Sequence, residues 1–267
     1  MSAITHVFEN LRNRGKGGLV AYVTAGDPNP DQTLAIAEAL IQSGADILEL
    51  GLPFSDPIAD GPTIQAASMR ALSAGTTPKT VLEMVQKIKS SHSLPVVIMT
   101  YYNPVFRMGL NRFFSLAKSC QVDGLIVPDL PIEEATDYCE MAKANSIDTI
   151  FLAAPSTSPE RLHRIVSCSS GFLYLVSHFG VTGERDQIED STIRLIKHVV
   201  SYTTQKIPLA VGFGVSKPDQ ARSIINAGAN AVVVGSAFVN VIQKNLGDLD
   251  RTLIELCALV RSMKNAI

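Results

Sequence analysis

No stretch of this chain is long and apolar enough to span a bilayer, which sets aside membrane-embedded functions. Charge of either sign is scarce as well: the formal net charge is −2, so there is no basic footprint for nucleic acid or a membrane surface. Any anionic ligand must then be held by local groups, not by bulk attraction. The four cysteines, Cys120, Cys139, Cys168 and Cys257, stand far apart, and neither they nor the five histidines form a pair at metal-ligand or redox spacing. No metal site is expected, and the thiols read as buried packing residues in a reducing cytoplasm. Met1 to Gly18 mixes Glu9, Arg12, Arg14 and Lys16 with scattered apolar residues, unlike a secretory signal. No linker or low-complexity segment divides the sequence, so residues 1–267 are expected to form one domain.

What is present is a large apolar fraction, 46% of 267 residues, arranged in a repeating pattern. Eight short β-rich runs recur: Leu19–Thr24, Ile47–Gly51, Val96–Thr100, Gly124–Val127, Thr149–Leu152, Phe172–Val176, Leu209–Gly212 and Ala231–Gly235. Amphipathic helical stretches separate them, among them Gln32–Ser43, Pro78–Ser90, Asn111–Ser119, Glu133–Asn145, Pro159–Ser167, Ser191–Tyr202 and Pro218–Asn226. Strands alternating with helices pair in parallel through right-handed crossovers, and eight such units in this length close into a (β/α)8 TIM barrel. Ser158-Pro159 reads as a helix start, and Gly44 and Gly228 as left-handed helix ends. A first helix, Thr5–Arg14, precedes the barrel and is expected to plug its N-terminal face. A short extra helix follows the eighth strand, and a final one covers Asp248–Lys264. The rival doubly wound sheet needs a glycine-rich turn after its first strand; Thr24-Ala25-Gly26-Asp27-Pro28 lacks that spacing.

The chemistry of such barrels gathers at the C-terminal ends of the strands. There the run Glu49 to Pro62 sets a carboxylate into the apolar strand Ile47-Leu48-Glu49-Leu50 and follows it with a loop bearing Asp56 and Asp60. Alternation along the strand turns Leu48 and Leu50 outward and Ile47, Glu49 and Gly51 into the barrel. Poor solvation there raises a carboxyl's pKa and suits Glu49 to proton exchange near neutrality. Asp60 is expected to fold over the same cavity and accept a ligand N–H, while Asp56 reads as loop or interface structure.

A phosphate cradle is expected opposite. Gly212-Phe213-Gly214 follows the seventh strand, and Gly235-Ser236 follows the eighth and opens a short helix. Glycines let backbone N–H groups approach an anion, and the helix N-terminus adds its positive end. Ser177-His178-Phe179-Gly180-Val181-Thr182-Gly183-Glu184-Arg185 reads as a lid, with Thr182 and Gly183 able to add a hydroxyl and an amide. Tyr22, Tyr101, Tyr102, Tyr174 and Phe213 are candidate walls for an aromatic ligand.

With these residues in hand, the chain resembles the tryptophan synthase α-chain family, through Glu49 to Pro62, Gly180-Val181-Thr182-Gly183, Gly212-Phe213-Gly214 and Gly235-Ser236. The resemblance implies a cytoplasmic lyase that cleaves indole-3-glycerol phosphate into indole and glyceraldehyde 3-phosphate. It implies a β chain as partner in an α2β2 heterotetramer, with indole passing between them. It also implies no cofactor on this chain, pyridoxal phosphate belonging to the β chain. Carried over, Glu49 becomes the general acid/base and Asp60 the partner of the indole N–H. Gly183, Gly214, Gly235 and Ser236 hold the phosphate, and Tyr22, Tyr174, Thr182 and Phe213 line the pocket. Two departures stand out: Tyr22 where bacterial relatives often have phenylalanine, and Ser177-His178-Phe179-Gly180 where many read Ser-Arg-x-Gly.

Three other functions remain open on the sequence: a phosphate-binding barrel isomerase, a weakly active subunit that mainly activates its β chain, and a free-standing lyase. The Glu49–Asp60 loop speaks against the first, and retention of both acids against the second.

Overall fold

In the computed structural model, described for residues 1–176, 190–212 and 214–267, the apolar runs form a parallel ladder. Its strands are β1 (Gly18–Thr24), β2 (Ile47–Gly51), β3 (Val96–Met99), β4 (Gly124–Ile126), β5 (Asp148–Ile150), β6 (Leu152–Ala153), β7 (Leu173–Val176), β8 (Leu209–Gly212) and β9 (Ala231–Val234). Their order is β5-β4-β3-β2-β1-β9-β8-β7-β6, every adjacent pair parallel. The two ends of that order are consecutive in the chain, parted only by Phe151. The expected single strand Thr149–Leu152 is thus two short pieces: β5 ladders with β4, and β6 with β7. The Phe151 carbonyl accepts from the Tyr174 N–H, so the join closes the sheet into a (β/α)8 barrel.

Twelve helices flank the strands among the described residues: α1 (Ala3–Asn13), α2 (Pro30–Gln42), α3 (Pro62–Ser73), α4 (Pro78–Ser91), α5 (Tyr102–Met108), α6 (Leu110–Ser119), α7 (Thr136–Ala144), α8 (Pro159–Cys168), α9 (Asp190–Thr203), α10 (Pro218–Asn226), α11 (Ser236–Lys244) and α12 (Leu249–Ala266). Their starts follow local chemistry. Ser158 accepts the Arg161 N–H ahead of Pro159 at the head of α8, and Asn29 does the same for Gln32 ahead of Pro30 in α2. Gly44 and Gly228 leave α2 and α10 at φ +113° and +109°, the conformation expected of them.

Alternation divides the core in two. Leu19, Ala21 and Val23 of β1, with Leu48 and Leu50 of β2, face the helices. Val20, Ile47, Val97, Ile126, Phe172 and Val233 fill the barrel interior. Ile4 and Phe8 of α1 join that inner cluster from below, the Phe8 ring centroid 5.9 Å from that of Phe172, so the first helix is indeed a plug.

The closed floor also satisfies the strand starts. Asp46 accepts the Leu19 N–H at 2.7 Å, Asp123 that of Val96 at 2.8 Å, Ser170 that of Thr149 at 2.9 Å and Asn230 that of Leu209 at 2.8 Å. These four side chains stand just before, or early in, neighbouring units and pair donors the ladder leaves over. The thiols depart from expectation in one respect. Cys120 is buried, but Cys168 is exposed at the end of α8, so it is not a packing residue.

Candidate active site

The cavity at the C-terminal end of the barrel lies one step up the strands from the core. Moving two residues along each strand keeps the side chain inside and raises it by one layer. Val20 gives way to Tyr22, Ile47 to Glu49, Val97 to Met99, Ile150 to Leu152, Phe172 to Tyr174, Ala210 to Gly212 and Val233 to Gly235. The lower members are core; all the upper ones line the cavity. The same alternation that fills the barrel therefore also builds the site, with a carboxylate on β2 where neighbours carry apolar groups.

Glu49 is completely buried, and neither carboxyl oxygen has a hydrogen-bond partner among the described residues. Burial, and secondarily the charge of Asp60, pushes its pKa up to about 8, so it carries its proton at neutrality. Asp60 lines the same cavity from the loop between β2 and α3, and burial raises it to about 6. The neighbouring Tyr101 hydroxyl opposes that rise. The hydroxyl also accepts the Ala59 N–H at 2.9 Å, and the ring lies 5.3 Å from that of Phe54. Tyr101 thus fixes the acid-bearing loop. Among the sequence candidates it stood only as a possible wall, because its partners lie 42 residues away and leave no local pattern. Asp56 is exposed and bonds to its neighbour Ser55.

Two tyrosines reach into the cavity by the same device. Tyr22 is the register partner of Glu49, and its tip leans over Gly51; a Cβ there would stand 2.2 Å from the hydroxyl. Tyr174 pairs with Ala210 and leans over Gly212, where a Cβ would stand 2.7 Å from Cε2. Each glycine is the space its neighbour's ring occupies. Met99, Pro128, Leu152 and Ile64 complete an apolar surround, none of them singled out by sequence since each reads as ordinary core.

Across the cavity, Gly214 (φ +66°), Gly235 and Ser236 form part of its wall. Gly235 is the residue before α11, and among the described residues no side chain caps that helix. The first N–H groups of α11 are thus left for a ligand, an arrangement suited to a phosphate. The candidates Thr182, Gly183 and Phe213, with the lid around the first two, lie outside the described residues. Glu49, Asp60, Tyr22, Tyr174, Gly214, Gly235 and Ser236 do meet in one cavity. Among the described residues no group of three or more His, Cys, Asp or Glu could hold a metal ion.

Comparison with known proteins gives a consistent result. The family model described as "Tryptophan synthase alpha chain" matches residues 8–267. The chain is 45% identical to the tryptophan synthase alpha chain of Methanosarcina barkeri over 264 residues, 99% of this chain and 97% of that protein. To the Microcystis aeruginosa alpha chain it is 43% identical over the whole length of both. Among solved structures it matches Mycobacterium tuberculosis tryptophan synthase with a TM-score of 0.91 and 36% identity, covering 100% of this chain and 98% of that one. It matches the tryptophan synthase α2β2 complex of Pyrococcus furiosus with a TM-score of 0.87 and 42% identity, covering 93% and 98%.

Proposed function

Because the chain belongs to the tryptophan synthase alpha chain family, lyases of tryptophan biosynthesis, we propose that Glu49 and Asp60 together cleave indole-3-glycerol phosphate into indole and glyceraldehyde 3-phosphate. The observation that carries this reading is a fully buried, partnerless, proton-bearing Glu49 facing the same cavity as Asp60 and the uncapped start of α11. Glu49 gives its proton to the ring carbon that bears the glycerol chain. Positive charge then develops on the ring, and the Asp60 carboxylate, accepting the indole N–H, stabilises it. The carbon–carbon bond breaks as its electron pair returns to the ring. The adjacent hydroxyl becomes the aldehyde and surrenders its proton to Glu49, which is thereby reset. One proton enters and one leaves, so no electron acceptor and no cofactor on this chain are required.

The phosphate anchors the far end on Gly214, Gly235 and Ser236, with Gly183 as a fourth contact. Tyr22, Tyr174, Thr182 and Phe213 wall the ring. Binding energy spent on the phosphate holds the ring between the two acids, where orientation lowers the barrier.

The partner in this reading is a β chain carrying pyridoxal phosphate, in an α2β2 assembly like that named for the Pyrococcus furiosus relative. Ile58 and Phe106, 79% and 66% exposed, support an apolar contact face. Ile58 adjoins the Tyr101-bound Ala59, and the Phe106 ring lies 6.1 Å from that of Tyr102, so that face adjoins the acid loop. A one-domain cytoplasmic enzyme fits this role, and no helix among the described residues is long and apolar enough to cross a membrane.

Indole release from indole-3-glycerol phosphate, assayed with and without a β chain, tests the reading. Turnover that rises with the β chain is expected. Turnover unchanged by the partner would make the chain a free-standing lyase, and none in either condition from a folded barrel would make it a binding subunit.

A further inference from the structure

Side chains tie together the three loops that follow β2, β3 and β4, and the tie ends beside Asp60. It begins after β4, where the Leu130 N–H closes a tight turn on the Val127 carbonyl at 3.2 Å. Pro128 of that turn lines the cavity, while half-buried Asp129 turns to the next loop. Its Oδ1 accepts the Tyr102 N–H at 2.8 Å, across 27 residues of chain. Tyr102 opens α5, and Tyr101 before it gives that helix no side-chain cap. Asp129 therefore supplies from outside the acceptor that a local cap would give. The seven residues of α5 are too few to hold a helix unaided, so its entry depends on such contacts.

Tyr101 is thereby pinned on both sides. Before it, the Thr100 N–H donates to the Ile126 carbonyl at 2.9 Å; after it stands the Asp129 bond. The Thr100 hydroxyl also donates to the Tyr101 carbonyl at 3.1 Å. From this fixed backbone the buried Tyr101 side chain crosses to the loop after β2. There its hydroxyl accepts the Ala59 N–H at 2.9 Å, and its ring lies 5.3 Å from that of Phe54. Ala59 is the residue before Asp60. Burial raises the Asp129 pKa and the Tyr102 N–H pulls against it, in keeping with a carboxylate engaged by one good donor. The bond at Thr100 is backbone to backbone, so the Asp129 link is the one a substitution can remove.

We propose that Asp129 is a positioning residue for Asp60: by holding the Tyr102 N–H it sets the backbone of Tyr101, whose side chain then fixes the loop that aims Asp60 at the ring N–H. This deepens the proposed function and rests on it. Asp129 touches none of the reacting atoms. Its effect passes through two neighbouring loops and reaches the acid, not the phosphate end.

The test uses the full chain with its β partner, with kcat for indole-3-glycerol phosphate scaled to folded protein. Asp129→Ala should lower kcat by about tenfold and leave KM within about twofold. Asp129→Asn keeps an oxygen that can accept the Tyr102 N–H, so it should restore kcat to within about threefold of the parent. Tyr101→Phe removes the hydroxyl at the other end of the tie. Its loss should match that of Asp129→Ala, and the double variant should be no slower than the worse single, since both cut one path. Asp123→Ala is the structural control. It removes a bond of the same kind, to the Val96 N–H, from the floor end of β4, and should cost stability with kcat unchanged. A kcat within about twofold of the parent in Asp129→Ala overturns the proposal. So do losses that multiply in the double variant, failure of asparagine to rescue, or an equal fall in Asp123→Ala. Asp60→Asn separates the two layers of inference. If it turns over as fast as the parent, the reading of Asp60 fails and this proposal falls with it; if it is slow while Asp129→Ala is not, only the proposal fails.

Discussion

Arg70 grips Asp27 with two parallel bonds, Nε to Oδ1 at 2.7 Å and Nη2 to Oδ2 at 2.8 Å, tying the far end of α3 to the loop after β1. The Asp27 side chain is wholly buried. The same loop is locked from a second side: Gly26, at φ +89°, has Thr76 in the space a Cβ would need, 1.9 Å away. Since α3 begins at Pro62, just after Asp60, the ion pair helps seat the element that carries the loop acid.

Removing one partner of such a pair strands a buried charge, at a cost of about 3–5 kcal/mol. Arg70→Met should therefore lose stability on that scale near neutrality. Burial already pushes the Asp27 carboxyl up, with Arg70 pulling against it, so without Arg70 it takes up a proton more readily. The loss should shrink in mildly acidic buffer. Urea unfolding at the two pH values measures it, and an equal loss at both would refute the electrostatic account.

The acid pair sets a window for turnover. Asp60 must be ionised to hold the ring N–H and Glu49 protonated to donate, so activity should rise through about pH 6 and fall through about pH 8. These are limbs of an interacting pair. Because the Asp60 charge is part of what raises Glu49, Asp60→Asn should also move the alkaline limb to lower pH. An alkaline limb that stays in place, or climbs, in that variant would show that the two acids do not sense each other.

Glu49 also makes stability depend on pH. Its native pKa is about 8 against an ordinary 4.5, so between those values the folded state holds a proton that the unfolded state has released. Stability contributed by the protonated form is complete below the lower value and is lost as pH climbs towards the upper, at up to about 1.4 kcal/mol per unit. Replacement by glutamine should flatten that slope. Denaturation midpoints that decline with pH as steeply in Glu49→Gln as in the parent would remove Glu49 from the account.

Gly51→Ala places a Cβ 2.2 Å from the Tyr22 hydroxyl and must displace the ring. Weaker substrate binding and slower turnover are expected. In a Tyr22→Leu background, where the ring tip is gone, the same alanine should cost much less. Such non-additivity marks direct contact. Additive kinetic losses would mean that Gly51 serves something other than clearance for Tyr22.

The parts of this architecture legible in the sequence are those with a local cause. Alternation in Ile47 to Gly51 is enough to turn Glu49 inward, and Ser158-Pro159 or Gly44 mark helix ends by backbone chemistry alone. Most of what escaped has distant causes. The break at Phe151 depends on β4 and β7 taking different portions of one strand. Helix α5 is hidden because Pro104, tolerated in a first turn, reads as a breaker, and because Gly109 at φ +86° both ends α5 and starts α6. The hold of Tyr101 on the Asp60 loop, and of Arg70 on Asp27, spans 42 and 43 residues.

Replacing Glu49 with glutamine and measuring both cleavage of indole-3-glycerol phosphate and affinity for it puts the most weight on the fewest atoms. The side chain keeps its shape and loses only its exchangeable proton. Turnover should fall by about 10²–10⁴ while affinity changes little. Cleavage persisting within tenfold of the parent would mean that the buried carboxyl on β2 is not the proton donor.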